Sequence, residues 1–128
     1  MNVLIIEDDA SLLSLLTFLI KRSFPKATVT TSEGRDKDIM KRIREEKIDL
    51  ILLDLLLPLY SGTQLLDVLK STEDTKHIAV VVITAKVLPK DVEKHLGLGA
   101  DEFIKKPFDS KELLARLKAV IKRNKILV

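Results

Sequence analysis

Residues 50–59 read Leu-Ile-Leu-Leu-Asp-Leu-Leu-Leu-Pro-Leu, and Asp54 is the one charge in that run. An ionised carboxylate is costly to bury without partners. Either Asp54 emerges at the end of a strand, or the fold brings cations to it. The four residues before it, Leu50 to Leu53, are apolar without alternation. Such a run indicates a strand covered on both faces, as in a parallel sheet. Moving outward, Val3 to Ile6 is a second short apolar run, and Ala79 to Ile83 is a β-branched one ending at Thr84. Ala27 to Thr31 is weaker and polar at its end, as at a sheet edge, and Phe103–Ile104 forms the last strand.

Helical spacing fills the intervals. Leu12, Leu13, Leu16, Leu19 and Ile20 mark a first helix, and Ile39, Met40 and Ile43 a charged second one. Leu65, Leu66 and Leu69 follow Gly62 as a third. Val92 and Leu96 give a thin apolar stripe on a fourth, which starts after Pro89 and ends at Gly97 and Gly99. Asp109–Ser110 caps a fifth, with Leu113, Leu117, Val120 and Ile121 on its inner face. Five βα units with right-handed crossovers make an α/β, doubly wound, three-layer sandwich around a parallel sheet.

In such folds ligands bind beyond the carboxyl ends of the strands. Glu7, Asp8, Asp54, Thr84 and Lys106 all fall there. Asp54, flanked by three apolar residues on each side, is poorly placed for local capping and suits a nucleophilic carboxylate that forms an acyl phosphate. Asp9 is the expected N-cap of the first helix, whereas Glu7 still belongs to the strand. Acids this close repel one another unless a cation is bound, and Mg²⁺ suits all-oxygen ligation. Strand alternation puts Lys105 and Lys106 on opposite faces, so only one can face the site. Thr84, at the end of a buried run, would point its hydroxyl into the pocket.

At 128 residues, 46% apolar and 32% charged, the chain is one globular domain. It has no Cys and only His77 and His95, which excludes disulfides, thiolate zinc sites and histidine-rich metal sites. The uncharged stretch Leu55 to Leu66 is too short to span a membrane, and Met1–Asn2 runs into a strand without a basic leader. The expected compartment is the cytoplasm. Net charge is +3, with the basic cluster Lys118, Lys122, Arg123 and Lys125 read as a solvated helix face. Direct nucleic-acid binding and membrane association by this domain are not expected.

Residues 3–9 (VLIIEDD), 54–62 (DLLLPLYSG), 81–85 (VVITA) and 99–108 (GADEFIKKPF) together resemble the receiver domain of bacterial response regulators, in order and over essentially the whole chain. The resemblance implies the strand order 2-1-3-4-5. It implies Asp54 as phosphoacceptor, Asp8 as a direct Mg²⁺ ligand, Glu7 as one acting through water, and the Leu56 carbonyl as the remaining protein ligand. It further implies that Thr84 and Lys106 hold phosphoryl oxygens and that Lys106–Pro107 is cis. Phe103 stands at an aromatic switch position often held by Tyr, so any signal carried by a hydroxyl there is absent. Leu56 and Lys86 flank the path of the water that hydrolyses the acyl phosphate in receivers, and both would obstruct it.

The implied function is a phosphoacceptor, not an enzyme in the ordinary sense, although capable of self-phosphorylation and slow autodephosphorylation. The implied partner is a histidine kinase or phosphotransfer protein, with residues 1–128 as a receiver whose output domain is absent or truncated. Asp101, Glu102, Glu112, Arg116 and Arg123 resemble the charged pattern by which winged-helix regulators pair their receivers, with Val92 where a basic partner for Glu112 would sit. A phosphorylation-dependent homodimer is therefore a further expectation. Two other readings compete. A haloacid-dehalogenase-type hydrolase would want an Asp where Leu56 stands. A flavodoxin-like flavin carrier would want a hydroxyl-rich phosphate loop instead of Glu7–Asp8–Asp9, and ring-stacking aromatics in a chain with no Trp and one Tyr.

Overall fold

The computed structural model describes residues 1–85 and 88–128. The described residues form β1 (Asn2–Ile6), α1 (Ala10–Ser23), β2 (Thr28–Ser32), α2 (Ile39–Glu45), β3 (Leu50–Leu53), α3 (Gly62–Ser71), β4 (Ala79–Thr84), α4 (Pro89–Gly97), β5 (Glu102–Lys105) and α5 (Ser110–Arg123). The strands make one parallel sheet in the order β2-β1-β3-β4-β5. The chain direction along the sheet reverses between β1 and β3, the switch point where a doubly wound fold opens a crevice.

Because successive strand side chains point to opposite faces, each central strand divides its residues between two cores. Leu4, Ile6, Ile51, Leu53, Val80 and Val82 pack with α2, α3 and Phe103. Val3, Ile5, Leu50, Leu52, Val81 and Ile83 pack with α1 and α5. This is why β1, β3 and β4 carry no polar alternation: both faces are dry. β2 lies at an edge and is mostly polar, four of its five residues being Thr or Ser, and it runs one residue later than Ala27–Thr31. The Asp9 and Asp109 side chains cap α1 and α5 by accepting from Leu12 N and Lys111 N.

The fourth helix departs from its sequence pattern. The period suggests that Val92 and Leu96 face inward. Val92 is only partly buried, Leu96 is 44% exposed, and the inward position belongs to His95, which is 2% exposed. Its ring finds polar partners and an aromatic neighbour inside the fold, and these decide the rotation of a helix too short of apolar residues to decide it alone.

Candidate functional site

Ladder hydrogen bonds of the parallel sheet carry the chain to the site. Asp54 N donates to Ile6 O at 3.0 Å, and Glu7 N donates to Ser32 O at 2.9 Å. These bonds bring the residue after β1 beside the residue after β3. On the other side Lys106 N donates to Thr84 O at 2.9 Å, placing the residue after β5 next to the end of β4. The Lys106–Pro107 peptide is cis.

Three segments far apart in sequence meet at one ammonium. Lys106 Nζ donates to Glu7 Oε2 and to Asp54 Oδ2, each at 2.9 Å. Glu7 and Asp54 are buried, at 2% and 6% exposure, whereas Asp8 is exposed. One carboxylate oxygen from each of Glu7, Asp8 and Asp54 lies within 4.8 Å of the others. Asp54 Oδ1 also accepts from Leu56 N at 3.2 Å, and Glu7 Oε1 accepts from Asp9 N at 3.1 Å. Lys105 is exposed.

Burial raises the pKa of Glu7 above the usual carboxylate value, and the neighbouring Asp54 raises it further. The bond from Lys106 opposes both without cancelling them. For Lys106 the balance is reversed: burial favours the neutral amine, but bonds and attraction from Glu7 and Asp54 outweigh it and raise the pKa. Three acids against one lysine leave the cluster short of positive charge. A hard divalent cation with oxygen preference fits that donor set, and a histidine- or thiolate-loving metal does not.

Gly62 opens α3 against this cluster. A Cβ there would lie 2.3 Å from Asp54 O and 2.6 Å from Leu55 Cα, so only glycine permits the approach. Ser61 caps the helix by accepting from Gln64 N. Thr84 is fully buried at the end of β4. Leu56 is 58% exposed. Phe103 stands apart from the carboxylates, buried on the α4 side of the sheet with its ring centroid 5.9 Å from that of His95. Lys86 lies outside the described residues. The sequence reading missed two contributors. Gly62 was visible only as a helix start, and His95 only as one of two histidines.

A family model described as "Response regulator receiver domain" matches residues 3–118. Among curated proteins, the chain is 37% identical over 122 residues to the sensory transduction protein RegX3 of Mycolicibacterium smegmatis, covering 95% of this chain and 51% of that protein. It is 38% identical over 123 residues to the phosphate regulon transcriptional regulatory protein PhoB of Klebsiella pneumoniae, covering 95% and 52%. The chain thus spans about half the length of the curated relatives it matches. Among solved structures, the signal receiver domain of a DNA-binding response regulator from Colwellia psychrerythraea superposes with a TM-score of 0.88 at 27% identity, covering 95% of this chain and 98% of that one. The BeF3-activated N-terminal receiver domain of Klebsiella pneumoniae RstA superposes at 0.83 with 26% identity, covering 95% and 99%.

Proposed function

Since the chain belongs to the response regulator receiver domain family, we propose that Asp54 is the phosphoacceptor of a two-component relay and that residues 1–128 form one receiver domain. The observation that carries this reading is the convergence of Glu7, Asp54 and Lys106 on one point, at 2.9 Å, from the ends of three strands. A carboxylate oxygen of Asp54 attacks the phosphorus of a phosphohistidine on a histidine kinase or phosphotransfer protein. The new bond is P–O, the P–N bond breaks, and the imidazole leaves with a proton. With acetyl phosphate the broken bond is P–O and acetate leaves, which makes self-phosphorylation available without a partner.

The chain's residues divide the work. Asp54, Asp8 and the Leu56 carbonyl would hold Mg²⁺ directly, and Glu7 through water. The bound ion would neutralise charge on the transferring oxygens. Lys106 offers its ammonium to a phosphoryl oxygen in place of the Asp54 carboxylate that it holds in the resting protein. Thr84 offers its hydroxyl to another, drawing the end of β4 towards Asp54. Phe103 and the surface of α4, β5 and α5 change packing in response, and a partner or output domain reads that surface. Leu56 presents an apolar side chain where a water-orienting group would speed hydrolysis, so autodephosphorylation is slow. Among the described residues no helix is long and apolar enough to cross a membrane. We place this activity in the cytoplasm, where a kinase domain would meet it.

Intact-mass measurement after incubation with acetyl phosphate and Mg²⁺ tests the assignment. One phosphoryl group is gained by the wild-type chain and none by Asp54→Ala. A gain that survives in Asp54→Ala rules the phosphoacceptor assignment out.

A further inference from the structure

Helix α4 is attached to the rest of the fold in an unusual way. Among its described residues the buried one is a histidine, not an apolar side chain. His95 Nδ1 lies 2.5 Å from the backbone carbonyl of Asp91, and His95 Nε2 lies 2.8 Å from Thr63 Oγ1. A carbonyl can only accept, so Nδ1 carries a proton, and in the tautomer with that single proton Nε2 accepts from the Thr63 hydroxyl. Both nitrogens are satisfied in one tautomer only. The ring also tilts against Phe103 at 51°.

Thr63 follows Gly62, the residue whose missing Cβ lets α3 press against the Asp54 carbonyl. The path from the acid cluster to α4 is therefore short: the Asp54 backbone, the first residues of α3, one hydroxyl, one imidazole. Apolar contact gives way gradually, but a hydrogen bond loses its energy within an ångström. We propose that His95 is a positioning residue that seats α4 on the start of α3. Phosphorylation of Asp54 is then read at α4 as the breaking of the Thr63–His95 bond. The inference rests on Asp54 being the phosphoacceptor. Coupling of this kind is reciprocal. If the bond belongs to the resting packing, removing it must favour the phosphorylated one.

The test uses the 128-residue chain with ¹⁵N-labelled histidine and beryllofluoride plus Mg²⁺ as the phosphoryl mimic. His77, exposed and remote from α4 in sequence, serves as internal control. On saturation the His95 Nε2 signal should move towards that of an unbonded pyridine-type nitrogen, while His77 stays fixed. Thr63→Val, which keeps the shape and removes the hydroxyl, should bind beryllofluoride roughly five-fold more tightly or better. Thr63→Ser should bind like wild type. A purely structural bond would lower the Tm of Thr63→Val and leave its beryllofluoride affinity untouched. Either that result or an unmoved His95 signal at saturation overturns the proposal. If Thr63→Val does not fold, the wild-type His95 signal alone decides. Failure of wild type to bind beryllofluoride would overturn the phosphoacceptor reading itself, and this inference with it.

Discussion

Lys106 shows most directly how single residues set the chemistry. Its ammonium is shared between two carboxylates whose side chains are 3% and 7% exposed. Replacing it by Met strands both acids, and uncompensated buried charge costs on the order of 3 kcal/mol. Lys106→Met should therefore unfold at lower temperature, with Mg²⁺ recovering part of the loss. The pH dependence follows from the raised pKa of Lys106. Its ion pairs contribute fully below about pH 10.5, the unfolded value, and are lost as pH rises through the higher folded value. Wild type should lose denaturant stability over that alkaline window more steeply than Lys106→Met, and parallel curves would refute the assignment. Leu56 gives a kinetic prediction at the same scale. Its backbone N–H bonds Asp54, and its exposed apolar side chain cannot orient a water molecule. Leu56→Asn should shorten the lifetime of the acyl phosphate several-fold, measured as phosphate release after removal of acetyl phosphate.

Among the elements, α3 and α4 contrast. α3 is driven onto the sheet by Leu65, Leu66 and Leu69, and its first residue meets the Asp54 backbone at a distance that excludes any side chain. Gly62→Ala must push α3 and the β3–α3 connection apart, at a cost of about 1–3 kcal/mol. A lowered Tm together with slower acetyl-phosphate labelling is expected. Loss of stability with unchanged labelling would mean that α3 does not position Asp54. α4 has no comparable apolar anchor: Leu88 at its N-cap and Leu96 within it are 55% and 44% exposed. Its seat is polar and directional, which suits an element that must occupy two positions.

For the whole molecule, the Arg116, Glu102 and Glu112 charges expected to pair two receivers already pair within one chain, and the Asp101 carboxylate pairs with Lys70, whereas Arg123 meets only a backbone carbonyl. Arg116 contacts Glu112 at 2.9 Å and Glu102 at 3.5 Å, and Arg123 donates to Asp101 O at 2.6 Å. Exchanging the partners of Arg116 across a two-fold axis would conserve the number of ion pairs and yield little net affinity. A dimer would then depend on apolar surface such as Leu88 and Leu96. Sedimentation should show a monomer without beryllofluoride and, with it, a dimer whose affinity changes little with salt. A monomer under both conditions at high concentration would favour recognition of a different protein.

The sequence alone determined the five βα units, the parallel sheet and the rim on which Glu7, Asp8, Asp54, Thr84 and Lys106 lie. Unbroken apolar strands and the position of polar residues at their ends are local properties, and a period of two assigns each strand residue to a face. Only the tertiary structure decided that Lys106 holds Glu7 and Asp54 at once. It also decided that Gly62 is a contact as well as a helix start, and that His95 displaces Leu96 as the inward residue of α4. Each of these depends on a partner distant in sequence. Thr63 and Phe103 lie 32 residues before and 8 after His95, and no periodicity within α4 can report a hydrogen bond offered from another helix.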